Sequence, residues 1–230
     1  MSETLLIAAI ASFLLAGTVK GLTGLGLPIV AVGVLSHFTD PRTAISLIIC
    51  PIFLANIWQM RRQGNFREAL RNYWPLALTL MLILGVTVVA TSQLDSDWLL
   101  ILIGIVIAGF SLVSLGYSPP ELPAHFDRPI QVFTGVVAGF LGGLTGIWGP
   151  PLVMYLLARR VDKEEFVRAS GILLFAGGIT LAAGYIYAGQ FDGDRALLSL
   201  GMVVPTLLGF TVGEALRKRL NTEQFLSLIH

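Results

Sequence analysis

Two short phrases rich in glycine and proline contain most of the residues that could bind a polar solute. The first reads Gly21-Leu22-Thr23-Gly24-Leu25-Gly26-Leu27-Pro28, and the second reads Gly143-Leu144-Thr145-Gly146-Ile147-Trp148-Gly149-Pro150-Pro151. Each phrase interrupts an apolar segment, and its proline suits the first turn of a helix that resumes after the break. Such a helix presents unpaired N–H groups with partial positive charge. Two breaks that face each other within a membrane would therefore form a site for an anion, with the hydroxyls of Thr23 and Thr145 at matching positions.

Lys20 is a charged residue inside the first apolar segment, directly before the first phrase. A cation within a membrane is costly and usually functional, so Lys20 could neutralise a bound anion. The alternative is that its long side chain reaches the membrane surface. The equivalent position in the second phrase is Gly142, so the two phrases are not identical in chemistry. Asn56, on the next segment, could reach the same cavity as a hydrogen-bond donor, although a polar contact between helices explains it more simply.

The predicted solute-binding residues come from both phrases and from these two side chains: Lys20, Gly21, Thr23, Gly24, Gly26, Pro28, Asn56, Gly143, Thr145, Gly146, Trp148, Gly149 and Pro150. Trp148 would line or plug the cavity, and core packing is its alternative role. For glycines four residues apart, such as Gly17 and Gly21 or Gly209 and Gly213, close packing of helices is the simpler explanation. Packing does not explain the prolines, so the repeated phrase favours a solute site.

Catalytic and metal-binding patterns are missing from the sequence. The three histidines, His37, His125 and His230, are dispersed without ligand spacing, and Cys50 is a lone cysteine in an apolar run. There is no Ser/His/Asp set, no phosphate-binding loop and no acidic pair within an apolar segment. The net charge of +1 comes without a basic patch. We therefore predict no enzymatic activity, no metal, no cofactor and no nucleic-acid partner.

The elements that must position these residues are membrane helices. Of 230 residues, 55% are hydrophobic and only 13% are charged, and the mean hydropathy is +0.80. A soluble domain has about 25% charged residues, so this chain could not cover its surface with polar groups. Apolar segments long enough to approach or exceed a bilayer span occupy residues 5–38, 44–60, 73–90, 98–115, 130–158, 169–188 and 196–213. The composition predicts a polytopic helical membrane protein.

The two halves of the chain form an internal repeat. When the Gly-Leu-Thr-Gly sequences are aligned, Pro28 falls on Pro150 and Asp40 falls on Asp162 without a gap. Between the halves, residues 117–129 form a proline-rich connector, so we divide the chain into a first membrane repeat (1–116), this connector and a second membrane repeat (130–230).

Loop charges predict that the halves are inverted relative to each other. The loop 61–71 is cationic, whereas its counterpart 190–195 is acidic; one loop later, 95–97 is acidic and 217–219 is cationic. Because cationic loops stay in the cytoplasm, the segments 5–38 and 130–158 must each begin and end on the same side. Each would then fold back at its glycine/proline break. This count places the N-terminus outside. Residues 5–19 nearly span the bilayer by themselves, which is also compatible with a break that lies far across the bilayer and not at its midplane.

The predicted fold is all-α, with two inverted repeats that each contain a folded-back segment and three transmembrane helices. This pattern of broken helices and inverted repeats occurs in many secondary transporters. The helix after Asn221-Thr222-Glu223 is too short to span the membrane, which indicates that the last helix is truncated.

The chain resembles the TauE/SafE group of sulfite exporters and organosulfur-anion permeases. The resemblance rests on the two phrases and on the turns that follow them, Asp40-Pro41-Arg42 and Asp162-Lys163-Glu164, so it spans nearly the whole chain. It implies transport of a small sulfur-containing oxyanion such as sulfite or sulfoacetate. The family's breaks are usually richer in glycine and have a small residue at the position of Trp148. This departure narrows the pocket.

Together these observations predict a secondary transporter of a small anion in a bacterial-type cytoplasmic membrane, working by alternating access. The expected partners are the anionic solute and the lipid bilayer, and a homodimer is compatible with the chain. An anion channel, a membrane scaffold and a subunit that delivers a sulfur carrier are the alternatives. The sequence does not distinguish export from import and does not specify a coupling ion.

Overall fold

The computed structural model describes residues 3–64, 66–116 and 119–229, and this part of the chain is entirely helical apart from turns and loops. The helices are α1 (Glu3–Thr23), α2 (Leu27–Leu35), α3 (Pro41–Gln63), α4 (Phe66–Ala90), α5 (Ser96–Gly116), α6 (Asp127–Thr145), α7 (Gly149–Ala158), α8 (Lys163–Tyr187), α9 (Gly193–Gly201), α10 (Val203–Arg217) and α11 (Thr222–Ile229), with a 3₁₀ turn at Ala124–Phe126. Of the three histidines in the sequence, His230 lies outside the described residues.

Six stretches of this bundle are long and apolar enough to cross a membrane. They are Leu6–Thr23, Pro41–Arg62, Arg67–Ala90, Ser96–Val113, Lys163–Tyr187 and Gly193–Arg217. The prediction of a polytopic all-α membrane protein is therefore confirmed. The last of these stretches is divided at Met202 into α9 and α10. The division has a local cause, because Pro205 has no N–H to donate to the carbonyl of Gly201.

Both predicted breaks are present at the predicted positions. α1 ends at Thr23 and α2 starts at Leu27, while α6 ends at Thr145 and α7 starts at Gly149. Gly24 and Gly26 have φ of 83° and 89°, and Gly146 has φ of 71°. These left-handed torsions are open to glycine and strained for most other residues. The glycines are thus the reason that the chain can leave one helix and enter the next within three residues.

The turn after each break ends in an aspartate that caps the following helix. The backbone N–H of Thr43 donates to the Asp40 carboxylate at 3.0 Å, and that of Glu165 donates to Asp162 at 2.7 Å. A side-chain acceptor at this position satisfies an N–H group that the first helical turn leaves free. The two aspartates that align in the repeat therefore have the same structural role at the start of α3 and α8.

Pairs of helices from different halves pack through glycines. α1 packs along α10, where a methyl group on Gly17, Gly21, Gly209 or Gly213 would lie 2.0–2.2 Å from a carbonyl oxygen of the facing helix. α6 packs along α4 in the same way, with Gly135, Gly139 and Gly143 against the α4 backbone. The packing explanation is correct for these glycines. Gly21 and Gly143 are among these packing glycines, and a role for them in solute binding stays a prediction.

Contacts between the two halves and the directions of their helices agree with the predicted inverted repeat. α1 contacts α10 and α6 contacts α4, so the first helix of each half packs on the other half. The equivalent helices α3 and α8 run antiparallel, because Gly171 lies against Gln59 while Gly178 lies against Ile52. Antiparallel packing of equivalent helices is the relation that the predicted inversion requires. The orientation of either half relative to a membrane stays a prediction.

One apolar core serves both halves. It includes Phe13 and Ile48 from the first half and Trp148 and Phe166 from the second, all fully buried. The connector also packs onto the second half, where the N–H of Leu122 donates to the carbonyl of Ala158 at 2.8 Å. The proposed division at residues 116 and 130 marks the repeat in the sequence, and the described residues on either side of it pack as one body.

Candidate functional site

Lys20 is fully buried at the end of α1, beside the first break. Its Nζ donates a hydrogen bond of 2.6 Å to Oδ1 of Asn56 on α3 and a longer one of 3.4 Å to the carbonyl of Gly24. No carboxylate in the described part of the chain forms an ion pair with it. The amine therefore does not reach the surface, and Asn56 accepts from it in a polar contact between α1 and α3. A direct contact of Asn56 with a solute stays a prediction. The site has a buried amine held only by neutral oxygens.

Gln59 lies one helical turn beyond Asn56 on α3 and joins the break to α8. Its Nε2 donates to the carbonyl of Val167 at 2.6 Å and lies 3.3 Å from both the Gly24 carbonyl and Oγ of Ser170. Among the described residues, Nδ2 of Asn56 and Oε1 of Gln59 are buried without a hydrogen-bond partner. Buried polar atoms normally have partners, so these two atoms have hydrogen-bonding capacity that the described residues leave unused. Sequence reasoning placed neither Gln59 nor Ser170 in the site.

The hydroxyls of Thr23 and Thr145 stabilise the breaks from within. Oγ1 of Thr23 bonds to the Val19 carbonyl and accepts from the N–H of Leu25. Oγ1 of Thr145 bonds to the Leu141 carbonyl and accepts from the N–H of Ile147. Both threonines thus tie the end of one helix to the turn that follows. Direct contact of either hydroxyl with a solute stays a prediction.

The two resumed helices offer different numbers of donors. The first four N–H groups of a helix lack an acceptor within it. Pro28 removes one of these donors from α2, and Pro150 with Pro151 removes two from α7. Because the Lys20 amine also lies beside the first break, the hydrogen-bond donors concentrate there. The first break is the stronger candidate for an anion.

Trp148 fills the second break. The residue is fully buried, and methyl groups on Gly142 and Gly177 would lie 2.9 Å and 2.6 Å from its side chain. Its Nε1 has no hydrogen-bond partner among the described residues. In the repeat, Trp148 aligns with Gly26, and Gly142 aligns with Lys20. At these two aligned positions the first half has the large side chain first and the glycine second, and the second half has the glycine first and the large side chain second.

The breaks touch but are offset along the bundle. A methyl group on Gly149 would lie 3.9 Å from Cδ2 of Leu25, so the two turns meet at this side chain. The first break lies beside Gln59, whereas Gly146 of the second lies against Ile45. These α3 residues are about 21 Å apart at a rise of 1.5 Å per residue. The two breaks therefore contact α3 at different points along its length, and their facing each other around a solute stays a prediction.

A polar cavity of about 490 Å³ adjoins the first break. Its lining residues are Arg62, Lys163, Glu164, Val167, Glu214, Arg217 and Lys218. A methyl group on Gly24 would lie 3.3 Å from Val167, and one on Gly21 would lie 2.9 Å from the backbone nitrogen of Glu214. The cavity and the break therefore share walls. Sequence reasoning used Arg217–Arg219 only as a topology signal and missed Glu214, whose position near the end of an apolar helix was the available clue.

Asp40, which lies just after the first break region, is a helix cap and not a member of the site. Burial acts to raise the pKa of its carboxyl group, but the hydrogen bonds from Thr43 and the charge of Arg195 outweigh this effect, and the pKa is lowered. The carboxylate therefore stays charged at neutral pH. It is bound to the start of α3, at the other end of that helix from Lys20 and Asn56.

Six apolar spans, packed around buried polar side chains at a helix break, define a multi-pass membrane protein. The sequence matches the family described as Sulfite exporter TauE/SafE over residues 9–229. The chain therefore belongs to the TauE/SafE family, and the predicted resemblance is confirmed. Members of this family are transporters, in line with the prediction that the chain is not an enzyme. No curated protein and no solved structure matches the chain.

Proposed function

We propose that the protein is a secondary transporter that moves a small anion, sulfite or an organosulfonate such as sulfoacetate, across a bacterial-type cytoplasmic membrane by alternating access. The observation that carries this proposal is the burial of Lys20 with only neutral hydrogen-bond partners. A buried cation without a counter-ion is costly, and an anion that binds beside it supplies the missing charge.

The surrounding groups favour an oxyanion over other solutes. Nδ2 of Asn56 is a free donor next to the amine, and no side chain caps the start of α2 at the same break. Charged oxygens accept strong hydrogen bonds from such donors. The choice of sulfur over phosphorus or carbon comes from the family, whose description names sulfite export.

The packing between the breaks favours a transporter over a channel. Trp148 and Leu25, both buried, occupy the space where the two turns meet. A solute that passes this point requires the helices to move, because close-packed interiors contain few voids larger than water. A scaffold or carrier-delivery subunit would need no solute at the break. In that case Lys20→Met, which removes only the buried amine, would leave function intact.

The decisive measurement is flux of labelled sulfite and sulfoacetate into proteoliposomes that contain the full chain. We expect saturable, anion-dependent flux that Lys20→Met lowers about tenfold or more, the loss that one charge-assisted hydrogen bond represents. Arg71→Met is the matched control, since it removes an exposed cation that does not line the cavity beside the first break. A failure to move any tested anion would refute the transporter, and equal flux in both variants would remove Lys20 from the site.

A further inference from the structure

We propose that the cavity beside the first break is a second oxyanion site, separate from Lys20, in which Arg217 is the principal ligand and Glu214 is an internal competitor. The inference rests on the proposed anion transport for its biological meaning, but its geometry is independent of Lys20. Four cationic and two anionic side chains line the cavity, so the lining carries an excess of two positive charges.

Arg217 has unused binding capacity. The residue is only 4% exposed and lines the cavity, yet its Nη1 has no hydrogen-bond partner within the described residues. Its Nη2 lies 3.8 Å from the Glu214 carboxylate, a distance too long for a hydrogen bond. A buried guanidinium normally has its donors satisfied, and its planar fork matches an oxyanion. The free donor therefore indicates a ligand with two or more charged oxygens.

Glu214 occupies the place of such a ligand in this structure. Its buried carboxylate lies 3.2 Å from Arg62, 3.8 Å from Arg217 and 3.7 Å from Lys218. Three cations around one carboxylate leave positive charge to spare. An incoming oxyanion would bind Arg217 directly and share or take over the contacts with Arg62. The backbone of Glu214 packs on Gly21, so the cavity lies on the α10 side of the first break.

Two kinds of molecule could supply the charged oxygens that bind Arg217. A small oxyanion could enter the cavity from solution, or the phosphate of an anionic lipid headgroup could do so from the membrane, since both present charged oxygens to arginine. The lining supports either source, because the polar walls combine with a position at the ends of α3 and α10.

The test measures binding of ³⁵S-labelled sulfite to the purified full chain in phosphatidylcholine nanodiscs, with the Lys20→Met background used to isolate the second site. We expect Arg217→Gln to weaken the remaining binding about tenfold or more and Glu214→Gln to strengthen it. A purely structural ion pair predicts the same loss from both substitutions. Arg217→Lys should give an intermediate affinity, and the exposed Arg71→Gln should change nothing.

Repeating the measurement in nanodiscs that contain phosphatidylglycerol separates the sources. Competition by this lipid, with lipid retention that depends on Arg217 in native mass spectrometry, assigns the site to a headgroup. Sulfite binding that the lipid does not affect assigns it to the free solute. If neither sulfite nor lipid binding depends on Arg217, the proposal is wrong even where Lys20-dependent flux is present. Loss of flux with intact Arg217-dependent binding would instead reject the transport proposal alone.

Discussion

At the scale of single residues, the two halves of the site differ at two aligned positions: each half has a glycine where the other has a large side chain. Lys20 and Gly26 in the first half stand where Gly142 and Trp148 stand in the second. Lys20 extends to Asn56, whereas the Trp148 indole extends to Gly177. The first half is therefore polar and the second is filled by an apolar ring. The two halves of the repeat are therefore not equivalent in polarity or in bulk at the breaks.

The contact between Trp148 and Gly177 can be tested by stability. A methyl group on Gly177 would lie 2.6 Å from the indole ring, so Gly177→Ala should destabilise the protein by about 1–3 kcal/mol. Gly104→Ala is the control, because that glycine is also helical and has nothing within 4 Å. We expect the control to be neutral or slightly stabilising.

A smaller ring at position 148 should relieve the clash. Thermal unfolding in detergent of Gly177→Ala, Trp148→Phe and the double variant gives a double-mutant cycle. The predicted coupling is favourable, with the double variant more stable than the sum of the single effects implies. Additive effects would show that Trp148 does not occupy this position.

Signals that lie close together in the chain made the breaks and caps predictable. Glycine, proline and threonine within one phrase define each break, and an aspartate three residues before its N–H partner defines each cap. Gln59 and Glu214 could not be assigned in this way. The direction in which a polar side chain points from a helix depends on the facing helix, and the sequence does not show that α3 faces α8 or that α10 faces α1.

At the scale of helices, the contact between α1 and α10 joins the halves beside the site. Gly213 is the tightest point, since a methyl group there would lie 2.0 Å from the Thr18 carbonyl oxygen. Close backbone approach of this kind increases the van der Waals packing that drives helix association in membranes. The contact determines how near Glu214 and Arg217 come to the first break.

Gly213→Ala should therefore separate the two helices. We expect a loss of about 1–3 kcal/mol in unfolding free energy together with weaker sulfite binding, because the backbone of Thr18 cannot move aside as a flexible side chain can. Gly109→Ala on α5 is the matched control, with no atom within 4 Å of the added methyl group. Unfolding temperature and binding affinity are measured on the same samples. Wild-type values for Gly213→Ala would mean that the helices do not pack at this distance.

At the scale of the whole molecule, the contacts between loops and helix ends form two groups. Arg62 pairs with Glu214 at 3.2 Å, and Lys163 donates to the Leu220 carbonyl at 2.9 Å, which places the cationic loops of both halves together. At the other end, Arg42 donates to the carbonyl of Leu94. The cationic loop 61–71 and the cationic loop 217–219 therefore belong to one end of the bundle, as the charge argument requires.

This grouping predicts which positions share a side of the membrane. In a Cys50→Ala background, Glu68→Cys and Lys218→Cys should be protected from an impermeant thiol reagent added to intact cells, while Asp194→Cys and Gln93→Cys should react. All four positions are exposed. The substitutions Glu68→Cys and Asp194→Cys remove neither a loop cation nor the aspartate that caps α9, Asp192. Permeabilised cells provide the control, in which all four cysteines should react. Because α3 and α8 are equivalent and antiparallel, the inverted arrangement requires Glu68 and Asp194 to differ; labelling of both from the same side would rule it out, even if the helix packing is correct.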